Sequence, residues 1–144
     1  MAAFKFKFES LQNVKKSLEK KAQRELAAID AKIKNLETAK IDLLVELKNH
    51  RLSTDSNTIM SEIQFIKGYA RLIQAKISSI DNATTELNTE KDKKIDELLQ
   101  KSKEHKIFDK IEEKHFERFT KTQNKIELKN TDEIAILKFA RVHK

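Results

Sequence analysis

Cysteine, proline and tryptophan are absent from this chain, and glycine occurs once, at Gly68. Each absence removes a class of protein. Without cysteine there is no disulfide framework, no thiolate metal site and no cysteine nucleophile. With one glycine there is no glycine-rich phosphate loop. A compact globule of 144 residues would need turn residues every ten to fifteen positions, and they are missing. Long apolar runs are also lacking. The N-terminus alternates Phe4, Lys5, Phe6, Lys7, Phe8 and then turns polar, unlike an export signal or a bilayer span. Asn82-Ala83-Thr84 matches a glycosylation acceptor, which without such a signal is read as chance.

What remains is 37% charged residues with abundant Lys, Glu, Leu, Ile and Ala, the composition of a long helix or coiled coil. The length suits one domain. The chain is organised around Ile59, Ile63, Ile66, Ala70, Ile73, Ile77 and Ile80. These alternate steps of four and three, the heptad spacing that turns one narrow apolar seam toward a partner helix.

A first helix is expected from about 8 to 51, with a seam of Leu11, Val14, Leu18, Ala22, Leu26, Ile29, Ile33, Leu36, Lys40, Leu43, Leu47 and His50. Two consecutive steps of four at Leu18, Ala22 and Leu26 predict a stutter. The polar run of about 52–58 (Leu52 to Thr58) is the best break, because short polar side chains compete for backbone hydrogen bonds. Ser56 or Thr58 is placed to cap the next helix, with Glu62 in its first turn. A second helix follows from about 59 to 140, through Thr84, Leu87, Lys91, Ile95 and Leu98, with Gly68 a tolerated helix glycine.

Folding back at the break aligns Leu47 with Ile63, Leu43 with Ile66, Lys40 with Ala70 and Ile33 with Ile77, so that paired numbers add to about 109 or 110. The stutters at 18, 22, 26 and at 87, 91, 95 then coincide. The expected fold is all-α: a single long antiparallel two-helix coiled-coil hairpin over 1–144, the second helix longer and overhanging. At 1.5 Å per residue the helices are about 65 and 120 Å long. Phe4, Phe6 and Phe8 would cover the second only to about residue 108. Phe108, Ile111, Phe116, Phe119, Ile126, Ile134, Ile136, Leu137 and Phe139 lie at or beyond that limit, and apolar side chains on a lone helix call for a partner.

Charge follows the same division. Residues 1–51 carry 12 basic and 7 acidic side chains, 52–99 carry 6 and 8, and 100–144 carry 12 and 8. The end holding both termini is basic and contains every Phe but Phe65. Aromatic anchors in a charged surround are the makeup of a binding hot spot.

Catalysis finds no support. His50, His105, His115 and His143 have no ligand partners at metal spacing and read as solvated or seam-edge residues. Glu112 and Glu113 are adjacent, so on a helix they diverge and form no dyad. No enzyme activity, cofactor, metal or small-molecule substrate is expected. The basic runs Lys15-Lys16, Lys20-Lys21 with Arg24, and Lys91 to Lys94 are interrupted by Glu9, Glu19, Glu25, Glu90 and Asp92. They read as solvated helix faces, and no nucleic acid is expected as partner.

The pattern Phe6 to Val14, then Leu18-Glu19 and Ala22, resembles the start of the FliJ family of flagellar export stalk proteins. The interruption near residue 55, Phe65-Ile66, and Thr131 to Ala135 followed by Phe139 and Arg141 resemble that family too. The Phe-rich stretch 108–119 has no counterpart in the family pattern. The resemblance implies a non-enzymatic stalk of the flagellar type III export apparatus, similar to the coiled coil of the rotary ATPase gamma subunit. Implied partners are the export ATPase hexamer, the cytoplasmic part of the export gate membrane protein, and export chaperones. The implied location is cytoplasmic, peripheral to the inner membrane at the flagellar base. On this reading Phe116, Phe119, Leu137, Phe139 and Arg141 are candidate ATPase-ring contacts. Lys15, Lys16, Lys20, Lys21 and Arg24 are candidate gate or ATPase-loop contacts. The alternatives are a virulence-type secretion stalk, a generic homodimeric coiled-coil scaffold, and a nucleic-acid-binding helix protein.

Overall fold

A computed structural model of the chain describes residues 3–52 and 59–142. It contains two helices, α1 (Glu9–Leu52) and α2 (Met60–Val142), packed against each other and, among the described residues, no strand. The fold is all-α, as the heptad and the missing turn residues require. Of the expected break at about 52–58, Leu52 is the last residue of α1, and 53–58 lie outside the described residues, as do the caps Ser56 and Thr58. Ile59 itself occupies the N-cap position of α2. Its carbonyl accepts from the Ile63 amide at 3.1 Å, and its amide donates to Glu62 Oε2 at 3.3 Å. This is the reciprocal half of a capping box, with Glu62 also favoured by the helix dipole. Ile59 is 66% exposed, so the seam of α2 starts at Ile63.

Thr84, Thr85 and Thr89 do not break α2. Each hydroxyl donates to the carbonyl four residues back, at 2.8–3.1 Å, and the helix continues. Gly68 has no positive φ and sits in open space.

Two compact units make up the chain. Unit 2 comprises Lys20–Leu99. Its seam holds the apolar core: Ala22, Ile29, Ile33, Leu47 and Ile73 are buried, and Leu26, Leu36, Leu43, Ile66, Ile77, Ile80, Leu87 and Leu98 half-buried. The two helices run antiparallel in a register different from the one expected. Lys40 Nζ meets Asp81 at 2.6 Å, Lys91 meets Asp30 at 2.7 Å, and Lys94 meets Glu25 at 3.1 Å, so paired numbers add to about 120, not 110. Lys40 therefore lies by Ile80 and Asp81, far from Ala70.

The reason is the direction of the chain. Label seam residues a and d, with three residues from a to d and four from d to a. Traversed backward, α2 has its three-residue step from d to a. The two helices stay in step only if an a of one meets a d of the other. Matching a with a, as in Leu47 with Ile63, makes the sums alternate between 110 and 109. Matching a with d, as in Leu47 with Ile73, holds them at 120.

Unit 1 comprises Met1–Glu19 and Gln100–Lys144. Here the seam of α1 does not stutter. The half-buried residues are Gln12, Lys15 and Glu19, which continue the heptad without a slip, while Leu11, Val14 and Leu18 are 50%, 54% and 36% exposed. In unit 2 the expected seam residues Leu87, Lys91, Ile95 and Leu98 are all half-buried, and Lys94 joins them. Lys94 is half-buried beside Ile95, its stem along the seam and its ammonium on Glu25 and Glu97.

Candidate functional site

Unit 1 holds a polar seam and an aromatic cluster. In the seam, Lys15 Nζ donates to Glu104 Oε2 at 2.7 Å. Gln12 Nε2 donates to Asp109 and Glu112, at 2.8 and 2.7 Å. His105 lies between carboxylates, Nδ1 at 2.8 Å from Glu19 and Nε2 at 3.4 Å from Asp109. The polar groups at these seam positions thus have partners, which lets the heptad pass through charged residues without leaving a desolvated orphan. The hydrogen bond and charge of Lys15 hold the Glu104 carboxyl below the usual carboxylate range, against a smaller desolvation effect.

The aromatic cluster forms ahead of α1. Phe6 is buried at 5% exposure, Phe4 and Phe8 are half-buried, and Lys5 and Lys7 are exposed. Phe4 packs edge-on to Phe116 with centroids 5.2 Å apart, and lies 5.5 Å from Phe119. Phe6 sits 5.8 Å from His115 and 5.9 Å from Phe8. The N-terminal residues therefore cover α2 as far as Phe119, eleven positions beyond the expected limit near 108. Alternation of Phe and Lys fits this: residues 3–6 have no regular structure and 7–8 form a turn, with Phe4, Phe6 and Phe8 packed and Lys5 and Lys7 exposed.

The uncovered length begins at Asn124, and every residue from there to Val142 is helical and exposed. Ile126, Leu128, Ile134, Ile136, Leu137, Phe139 and Val142 are between 46% and 79% exposed. At 100° per residue they are not confined to one stripe. Ile126 and Leu137 share one side, Leu128, Phe139 and Val142 the opposite side, and Ile134 and Ile136 the two flanks.

The sequence candidates are distributed accordingly. Leu137, Phe139 and Arg141 lie on the uncovered length. Phe116 and Phe119 belong to the aromatic cluster, although Phe116 keeps 52% exposure. Lys15 is engaged with Glu104, whereas Lys16 in unit 1 and Lys20, Lys21 and Arg24 in unit 2 are exposed on α1. Two histidines take the seam-edge alternative. His105 and His115 are half-buried, and the signal for His105 was available, since it continues the α2 heptad from Leu98.

In unit 2, His50 lies 4.3 Å from Tyr69, whose hydroxyl donates to Glu46 and is pushed up in pKa by that bond. Bonds to Asp30, and to Glu97 and Glu25, raise Lys91 and Lys94. Among the described residues, no three His, Asp or Glu side chains gather as a metal site, and no helix is long and apolar enough to cross a membrane.

No match is found among the curated proteins or the solved structures. The family model described as "Flagellar FliJ protein" matches residues 4–144. With that match over essentially the whole chain, on a two-helix all-α fold, the chain belongs to the flagellar FliJ protein family, whose members are components of the flagellar export apparatus.

Proposed function

We propose that this protein is the non-enzymatic stalk of the flagellar export apparatus, binding the export ATPase ring to promote its assembly and activity. The observation that carries the reading is the uncovered helix of residues 124–142, with apolar side chains on all sides. Apolar side chains exposed on every side of a helix call for contact on every side. A ring can surround it; a single flat partner cannot. Apolar contact is non-directional, so it tolerates rotation of the helix within the ring. A ligand that binds the assembled hexamer but not its free subunits draws assembly forward by mass action.

In this mechanism Leu137 and Phe139 provide the main ring contacts, and Arg141 adds charge pairing with acidic loops. Phe116 adds its exposed edge, and Phe119 anchors the cluster beneath. The exposed Lys16, Lys20, Lys21 and Arg24 are the gate or ATPase-loop contacts, and export chaperones are further partners of the helices. The location that goes with this role is the cytoplasmic side of the inner membrane at the flagellar base.

The test is ATP hydrolysis by the export ATPase, with ring formation followed by electron microscopy. Full-length protein is expected to raise hydrolysis and the number of hexamers. A chain ending at Gln123, which keeps the aromatic cluster and the seams, is expected to lose most of both effects. Equal stimulation by the two chains would remove the uncovered helix from the mechanism.

A further inference from the structure

The strict heptad in unit 1 leaves an apolar strip outside the seam. With Gln12 and Glu19 at a and Lys15 at d, Leu11 and Leu18 fall at g and Val14 at c. On α2, with His105 at a and Phe108 at d, Ile107 falls at c and Ile111 at g. Contacts fix which edges adjoin. Lys15 at d reaches Glu104 at g, while Gln12 at a reaches Asp109 at e. The g sides of both helices therefore share one edge of unit 1, and the e sides the other. Leu11, Val14, Leu18 and Ile107, 36–56% exposed, lie along that g edge together with half-buried Ile111.

The same edge of α2 continues as Lys114, Arg118 and Lys121, again at c and g, all exposed. Among the described residues none of the three is in an ion pair, and the acid further along this edge, Glu104, is held by Lys15. Net charge agrees. Unit 1 has 16 basic and 10 acidic residues against 14 and 13 in unit 2, so it carries +6 of the total +7. An apolar strip that runs into uncompensated cations has a definite complement.

We propose that this edge of unit 1 docks an amphipathic helix of a partner protein whose apolar stripe runs on into acidic turns. The stripe packs against Leu11, Val14, Leu18 and Ile107, and the acidic turns meet Lys114, Arg118 and Lys121. Leu11 and Leu18 stand two turns apart, about 10 Å along α1, so the docked helix needs about four to five turns to reach the cations as well. None of these residues is assigned to the ATPase ring, so the proposal stands apart from the stalk reading.

The test uses the full chain and two labelled synthetic helices of about 18 residues. Both carry the same leucine stripe; one ends in glutamates and the other in lysines. Fluorescence anisotropy is expected to show saturable one-to-one binding of the glutamate helix, at least about tenfold tighter than the lysine helix, a difference of about 1.4 kcal/mol. The difference should shrink with added salt. The variant Leu11→Ser with Leu18→Ser should lose binding with unchanged helical circular dichroism, since both side chains are exposed. Lys114→Glu with Arg118→Glu should reverse the preference between the two helices. Equal affinity for both helices, no binding, or binding that survives the double serine change would overturn the proposal. So would sedimentation showing that the strip joins two copies of this chain, or binding of anionic vesicles in place of the acidic helix.

Discussion

Unit 2 and unit 1 use one heptad for two kinds of seam. In unit 2 the inward positions are Ile29, Ile33, Leu47 and Ile73, buried to 8% exposure or less. In unit 1 they are Gln12, Lys15, Glu19 and His105, held by hydrogen bonds and the Lys15–Glu104 ion pair, and the apolar burial has moved to Phe6 and its aromatic neighbours. Periodicity, not hydrophobicity, decides which residues face inward once the helices are paired. A slip of the seam to reach Leu11, Val14 and Leu18 would break the supercoil in α1 and unmatch it from α2. Charged side chains that find partners across the seam avoid that cost. The difference also sets what stands outside each seam: unit 1 leaves Leu11, Val14 and Leu18 on its surface beside a polar seam, while unit 2 exposes Leu44, Leu72 and Leu99 outside a seam that is itself apolar.

The sharpest way to break this account is through the register. The chain has no cysteine of its own, so pairs can be introduced cleanly. Lys40→Cys with Asp81→Cys is expected to cross-link almost completely under mild oxidation or with a short bismaleimide. Lys40→Cys with Ala70→Cys should not, because eleven residues along α2 displace the second site by about 16 Å. The reverse outcome, read on a denaturing gel, would restore the other pairing.

Next in size is the core of unit 2. Ile73 is 2% exposed, and Ile73→Ala should cost about 2–5 kcal/mol in urea unfolding. A loss as small as that of an exposed residue such as Leu72 would mean that burial is not what holds unit 2.

The polar seam gives a smaller effect of opposite sign. Replacing Glu19 and His105 together by leucine should leave stability unchanged or raise it by up to about 4 kcal/mol, since a partly buried polar pair rarely outperforms apolar packing. Glu19→Leu alone should destabilise by leaving His105 without its nearer carboxylate. Stabilisation by the single change, in the same unfolding assay, would show that the pair does not hold the seam.

The smallest effect is pH-dependent. Because Lys15 lowers the folded pKa of Glu104, protonation favours the unfolded chain. The contribution is present above the unfolded carboxylate pKa and is lost as pH falls through the folded value. The stability difference between the parent and Glu104→Gln should therefore be largest near neutrality and vanish in acid. A difference that persists at the acid end would assign the effect to packing rather than charge.

Much of this was legible in the residues themselves. The absence of proline, with one glycine and a sustained three-four alternation, admits two long helices and little else. The seam from Ala22 to Leu47 and from Ile63 to Leu98 could be read directly, because apolar residues occupy it. From Gln12 to Glu19 it could not, because polar seam residues look like surface and the surface leucines look like seam. Of the candidate contacts, Leu137, Phe139 and Arg141 lie exposed on the last turns of α2. Phe116 and Phe119 instead pack against Phe4, which no local pattern foretells, because the alternation of Phe and Lys does not say which helix face it will cover.

By itself, then, the sequence determined the class of fold, the helix positions, the family and the basic aromatic end. Local propensity and periodicity act within one helix, and they suffice for those. The tertiary structure alone decided the register, the polar stretch of the seam and the exposed edge beside it. A heptad repeats every seven residues and is nearly blind to sliding by a repeat. Only the contacts between two opposed helices, where an a must meet a d and each charge must find its partner, select one alignment.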